Sequence, residues 1–323
     1  MGEFELIERL FRPLAEDTWR EGVQLGPGDD CAIQRVPEGH DLVFSVDTLV
    51  EGIHFPTAYD PARLGWRALA VAVSDLAAMG ADPVCYTLAM TLPEADESWA
   101  RGLVSGLAEA SRSFGVALAG GDITRGPLTL TLQVHGTVPR DQAIRRSGAR
   151  PGDLVAVSGP LGGAAAALPW LDQVHPPASA APSLICYHRP RPRCDLGHGL
   201  RGLASAAIDI SDGLVADLGH ILKASGVGAR LELDRIPLAP APEGTDTRAM
   251  RAHALYGGDD YELCVTLSPS ALTGLSKDIA GTLTVIGTIT AVTEYRLLHP
   301  DGSEEAVRGA GGYDHFGAGQ GSL

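Results

Sequence analysis

The chain has 323 residues, more than one typical core accommodates, so two domains are the expectation. Its net charge of −15 at pH 7 disfavours nucleic acid as a partner, because a binder needs a basic face. Of 25 Lys and Arg residues only Lys223 and Lys277 are lysines, so any phosphate handling falls to Arg, backbone amides and metals. Residues 42–46 read as a strand. Residues 61–79 read as a helix capped by Asp60, with Pro61 in its first turn. Residues 84–92 are apolar and β-prone, 97–114 have helical spacing, and 116–119 and 128–138 are strands, the last alternating Leu and Val with Thr, Gln and His.

An Arg-, Gly- and Pro-rich break at 139–152 divides the chain into domains 1–138 and 139–323. A second series then begins: strand 154–158, helix 162–168, strand 206–210, helix 211–224, and strands 229–233, 261–267 and 283–290. Residues 172–183 and 237–247 read as loops. The tail from Arg308 is Gly-rich but carries Tyr313, Asp314, His315 and Phe316. The fold class is therefore α/β, with two α/β domains each holding a mixed sheet covered by helices. Residues 68–81 are the most apolar stretch, but Ser74 and Asp75 interrupt them and they are too short to span a bilayer. The opening MGEFELIERLF lacks the basic-then-apolar pattern of a signal peptide, and five scattered cysteines without a CxxC pair read as reduced thiols. A soluble, cytoplasmic protein without a membrane partner is expected.

Ten acidic side chains fall in short Gly- or Ser-flanked clusters where strands should hand over to loops or helices: Asp29 and Asp30, Asp47, Asp75, Asp122, Asp209 and Asp212, and Asp259, Asp260 and Glu262. Two unit charges about 4 Å apart repel by roughly 4 kcal/mol at an effective dielectric near 20, so such a set implies cations. Hard divalent ions with oxygen ligands answer this, and magnesium in turn suggests a phosphate substrate. Asp75 stands out because it lies in an Ala-rich apolar helix, where an unpartnered carboxylate is costly. An exposed stripe is the alternative. Asp122 follows two glycines that could admit a ligand or simply make a tight turn. Ser211 reads as an N-cap, with Asp212 in the first turn suiting the helix dipole. That leaves Asp209, which points the same way as Ser211 on a two-residue repeat. The loop 158–163 (SGPLGG) can hold phosphate on amides but lacks the Lys-Ser/Thr ending of a P-loop. The GxGxxG letters at 197–202 follow no apolar strand and read as chance. Arg145 and Arg146 sit in the break, as solvated surface or as a phosphate clamp. His54 and Tyr313 are weak signals alone.

Taken in order, GDDCAI, VDTLVEGIHF, AVSDLAAMGADP, GGDITRGP, RSGARPGD, DISDGL, GGDDYELC and GYDHF resemble the thiamine-monophosphate kinase family across nearly the whole chain. The shorter GGD, SDG and SG pieces also occur across the wider aminoimidazole ribonucleotide synthetase-like superfamily. The resemblance implies two domains of that superfamily, a homodimer through the N-terminal domains, and transfer of the ATP γ-phosphoryl group to thiamine monophosphate, giving thiamine diphosphate and ADP. It implies several Mg2+ ions held at Asp30, Ser45, Val46, Asp47, Asp75, Asp122, Asp209 and Asp212. It places ATP contacts at Gly121, Asp122, Arg146 and Ser211, and thiamine-phosphate contacts at His54, Glu262 and Tyr313. No residue is implied as a general base. Val46 stands where relatives can have Thr, so its contact would use the main-chain carbonyl. Tyr313 stands where some relatives have Trp, and either ring can lie against a heteroaromatic cation. The rivals are another ATP-using member of the superfamily, or a non-enzymatic divalent-cation module, which would need neither Arg146 nor the 158–163 loop.

Overall fold

The computed structural model describes residues 2–307, so Tyr313 and its neighbours lie outside the described residues. The chain forms two compact units. One comprises the described residues up to Leu76 together with Ala81–Asp141. The other comprises Ala77–Gly80 and the described residues from Gln142 onward.

The first unit contains β1 (Val23–Leu25), β2 (Ile33–Gln34), β3 (His40–Val50), β4 (Asp82–Leu92), β5 (Ala117–Arg125) and β6 (Thr129–Pro139). The first two make a ribbon; the other four make a sheet of order β3-β6-β4-β5, antiparallel except for β4 with β5. Alternation explains β6: Leu130, Leu132 and Val134 are buried while Thr131, Gln133 and His135 are only partly covered. The parallel β4–β5 pair needs a crossover, supplied by the helix Glu97–Phe114, which Asp96 caps through Ser98 and Trp99 and which Gly115 ends at φ 71°. Asp60 Oδ1 accepts the Arg63 amide at 2.8 Å and so opens the helix Pro61–Ala78. The two helices meet backbone to backbone. A Cβ on Gly106 would stand 1.9 Å from the Ala62 carbonyl oxygen, and one on Gly65 would stand 2.3 Å from that of Leu103. Ser45, Val134 and Tyr86 form a row across one sheet face. Ser45 touches the first helix through Asp75 and Tyr86 touches the second through Ser111, so both helices cover that face.

The second unit adds β7 (Leu154–Val157), β8 (Ala204–Asp209), β9 (Gly228–Glu232), β10 (Leu263–Leu267), β11 (Thr284–Thr290), β12 (Tyr295–Leu298) and β13 (Glu304–Ala306) in one sheet of order β13-β12-β9-β11-β7-β10-β8. Both faces are buried, and the pleat sorts them. Val155, Val157, Ala206, Ile208 and Cys264 pack with Leu214, Leu218 and Ile221 of the helix Leu214–Ser225. Ala156, Ala207, Leu263 and Val265 pack with Ala77, Leu196 and Leu200 on the other side.

Several boundaries differ from the sequence expectation. β5 runs on through Gly120, Gly121 and Asp122, so those glycines sit in a strand and make no tight turn. Asp47 lies inside β3 and not at a hand-over point. The helix expected from residue 211 begins at Leu214. Gly213, at φ 106°, stands outside the helical region, and the amides of Ser211 and Asp212 turn to the Asp217 side chain, so Ser211 is not the N-cap. β8 ends at Asp209, so the two-residue repeat does not carry on to Ser211. The segment 172–183 ends inside a helix, Ala181–His188.

Candidate active site

In the first unit β3 alternates its candidates between two faces. Ser45 and Asp47 point toward the helices, while Val46 is 60% exposed on the other face. Ser45 Oγ donates to Asp75 Oδ2, so the carboxylate on the apolar helix is partnered and only half-buried. Asp47 pairs with Leu132, Leu132 with Leu88, and Leu88 with Gly121, so Asp47 and Gly121 share a face. Asp122 pairs instead with Ala89, on the face of Thr48 and Val46. Three strand spacings of about 4.8 Å put β3 and β5 roughly 14 Å apart. Asp47 and Asp122 of one chain therefore face opposite ways and do not meet on one ion. Gly121 has a packing reason as well, since a Cβ there would stand 2.0 Å from the Leu88 carbonyl oxygen, while one on Gly120 would meet open space.

Asp29 and Asp30 lie exposed in the link from β1 to β2, where Asp29 Oδ1 accepts the Asp30 amide at 2.8 Å. His54 follows β3 in a turn, and its Nδ1 accepts the Val50 amide at 3.0 Å. A main-chain donor at Nδ1 puts the proton of the neutral ring on Nε2.

In the second unit Arg146 is exposed at its side chain and fixed at its main chain. Ser225 Oγ donates to the Arg146 carbonyl at 3.4 Å and accepts the Gly148 and Ala149 amides at 3.1 and 3.2 Å. Asp209 is buried at the end of β8, and Ser211 and Asp212 are half-buried in the turn beyond it. Glu262 is 6% exposed. Arg193 donates from Nε to its Oε2 at 2.7 Å and from Nη2 to its Oε1, and Ser158 Oγ also donates to Oε2. Asp260 beside it accepts the Gly162 amide at 2.7 Å. Burial pushes Asp260 up to about 8, although the amides of Gly162 and Ala164 pull it down. Burial likewise raises Asp217 to about 7.

Three comparisons bear on this arrangement. The family model for the AIR synthase related protein N-terminal domain matches residues 28–138, and that for its C-terminal domain matches 150–299. Thiamine-monophosphate kinase of Escherichia coli K12 is 46% identical over 322 residues, covering 98% of both chains. The chain belongs to the thiamine-monophosphate kinase family. Among solved members of that family, the crystal structure of thiamine-monophosphate kinase from Stenotrophomonas maltophilia K279a superposes with a TM-score of 0.84 at 41% identity, covering 94% of this chain and 98% of that one. AaThiL complexed with AMPPCP and TMP gives a TM-score of 0.77 at 29% identity, covering 98% and 97%.

Among the described residues no three His, Cys, Asp or Glu side chains converge as a ready cation cage. The thiamine-monophosphate kinase fold here instead presents hard oxygen donors singly and in pairs, Ser45 with Asp75 and Asp47 two residues along the same face. That suits Mg2+, which keeps several waters and binds through one or two carboxylates plus substrate phosphates. Sequence reasoning missed Arg193 and Asp217. Arg193 sits in the run RPRPRC, which offered no periodicity. Asp217 was within reach of the argument used for Asp75, an acid among Leu214, Val215, Leu218, Ile221 and Leu222 of an apolar helix.

Proposed function

We infer that this chain transfers the γ-phosphoryl group of ATP to thiamine monophosphate, giving thiamine diphosphate and ADP. The observation that carries this is identity of 46% to thiamine-monophosphate kinase of Escherichia coli K12 over 98% of both chains. A related fold that holds the ATP analogue AMPPCP together with TMP supports it. The acceptor is itself a phosphate monoester whose second pKa is about 6, so its attacking oxygen is ionised at neutral pH and needs no general base. What remains is to bring two anionic groups together. The chemistry that Mg2+ would supply here, when held, is positive charge against the phosphates. Asp30, Ser45, Asp47, Asp75, Asp122, Asp209 and Asp212, with the main chain at Val46, supply hard oxygen donors for several such ions. The opposed directions of Asp47 and Asp122 suit separate ions. These carboxylates hold cations and abstract no proton. Arg146 offers an exposed guanidinium on a fixed main chain for polyphosphate, and Gly121, Asp122 and Ser211 are the further ATP contacts. His54, Glu262 and Tyr313 take the thiamine phosphate, and the acidic surroundings suit the positive thiazolium.

The chain works as a homodimer through its first unit. β3 is an edge strand whose outer face carries Leu42, Phe44 and Val46, and Phe44 is 61% exposed. Such an apolar stripe on the edge strand of a sheet is where a second copy belongs. No helix of the described residues is long and apolar enough to cross a membrane. The five cysteines are free thiols, which suits the reducing cytoplasm. The deciding experiment is chromatographic product analysis after incubating the protein with ATP, Mg2+ and either thiamine monophosphate or thiamine. Thiamine diphosphate formed from the monophosphate alone, and lost on chelation, is the expected result. ATP bound without product would move the acceptor elsewhere in the superfamily.

A further inference from the structure

Asp217 is 2% exposed on the helix Leu214–Ser225, and the ATP, metal and thiamine readings leave it without a task. Its Oδ2 accepts two consecutive main-chain amides, Ser211 at 3.1 Å and Asp212 at 3.0 Å. A buried carboxylate without partners is costly, and so are two unpaired amides in a turn, so each satisfies the other. The same turn is held from its opposite side. The Ser211 carbonyl accepts the Asp259 amide at 2.9 Å, the Ile210 carbonyl accepts the Tyr261 amide at 2.8 Å, and the Ile210 amide donates to the Glu262 carbonyl at 2.7 Å. Gly258 lets this second loop in, since a Cβ there would stand 2.2 Å from the Ser211 carbonyl oxygen. Asp259 and Tyr261 adopt φ of 71° and 51°, a region non-glycine residues leave unless their surroundings hold them there. The main chain at 210–212 is thus fixed from two sides; Asp212 belongs to it, and Asp209 immediately precedes it at the end of β8.

We propose that Asp217 is a positioning residue: by holding the Ser211 and Asp212 amides, it aims the Asp209 and Asp212 carboxylates at a divalent cation. This rests on the reading of that turn as a metal holder. Groups that orient metal ligands are worth about 10–100-fold in metal affinity or activity. A role confined to starting the helix would lower stability and leave cation affinity alone.

The test is calorimetric titration of the full chain with Mn2+ alone, comparing wild type with Asp217→Leu, Asp217→Asn and Asp212→Asn, with the melting temperature of each recorded. A single Asn carbonyl oxygen can accept both amides, and Leu can accept neither. Expected is a loss of about tenfold or more in Mn2+ affinity for Asp217→Leu and for Asp212→Asn, with Asp217→Asn within about threefold of wild type. Unchanged affinity in Asp217→Leu beside a loss in Asp212→Asn overturns the positioning role and keeps the metal reading. A loss in Asp217→Leu alone keeps the role and assigns the aimed ligand to Asp209. No Mn2+ binding by wild type, or no loss in any variant, overturns both. Should Asp217→Leu fail to fold, Asp217→Ser, too short to reach the amides, carries the same comparison.

Discussion

Arg193 grips both carboxylate oxygens of Glu262 across 69 residues of sequence. With Ser158 on the same group, Glu262 accepts three hydrogen bonds from its own chain, two at Oε2 and one at Oε1, which leaves Oε1 room for a further donor. Removing one partner of a buried pair leaves a charge that nothing compensates, and for fully buried pairs this costs about 3–5 kcal/mol. Arg193 keeps 37% of its side-chain exposure, so the cost is discounted. Arg193→Ala should destabilise by about 2 kcal/mol in urea denaturation, and adding Glu262→Gln should restore part of that. Equal stability of Arg193→Ala and wild type would remove the pair from the account.

The helix pair of the first unit depends on missing side chains. Gly106→Ala puts a methyl 1.9 Å from the Ala62 carbonyl oxygen, a backbone atom of the facing helix that cannot swing aside. Overpacking of this kind costs about 1–3 kcal/mol. The variant should melt several degrees lower, and a substitution at Gly120, where a Cβ meets open space, should not.

Much of this fold is legible in the sequence. Residues 97–114 declare a helix through their spacing, and β6 declares itself by alternating Leu130, Leu132 and Val134 with polar residues. What escaped was set by partners distant in sequence. Ser211 has the chemistry of an N-cap, but Asp217 captures its amide and the helix starts three residues later. Glu262 carries a motif, yet nothing in GGDDYE reports that Arg193 will reach it. β12 and β13 are strands of only four and three residues at one end of the sheet and give almost no periodic signal. Each acid of the candidate site is legible singly in its own motif. Only strand order reveals that Asp47 and Asp122 face opposite ways.

Asp260 gives stability a pH dependence whose sign is fixed. Its folded-state pKa, about 8, lies above the ordinary 3.8, so the folded chain holds this proton more tightly than the unfolded one. The contribution is full below about pH 4 and is lost as pH rises through about 8. Asp260→Asn keeps a carbonyl for the Gly162 amide and cannot ionise. Relative to wild type, the variant should gain stability steadily between pH 5 and 8 and level off above. A pH-independent difference in melting temperature would count against an uncharged Asp260.

The outer face of β3 sets the prediction for assembly. Phe44→Arg places a charge on an exposed position, where it costs the lone unit little. It would be desolvated if a second copy covers the stripe of Leu42, Phe44 and Val46. Sedimentation should show a dimer for wild type and a shift toward monomer for the variant at the same concentration. An unchanged dimer would move the interface off this face.

Asp47 tests the division of labour between metals and protons. Its carboxylate lies on the helix-facing side of β3, two residues from the Ser45 that binds Asp75. Asp47→Asn keeps the shape and removes the charge. If the residue holds Mg2+, the concentration for half-maximal activity should rise about tenfold or more, and saturating Mg2+ should recover only part of the rate. The acceptor phosphate is already ionised, so the pH profile of the remaining activity should keep its shape. A general base would behave differently: its loss would remove the acidic limb of that profile and leave the Mg2+ requirement untouched. Activity near wild type at every Mg2+ concentration would exclude Asp47 from both roles.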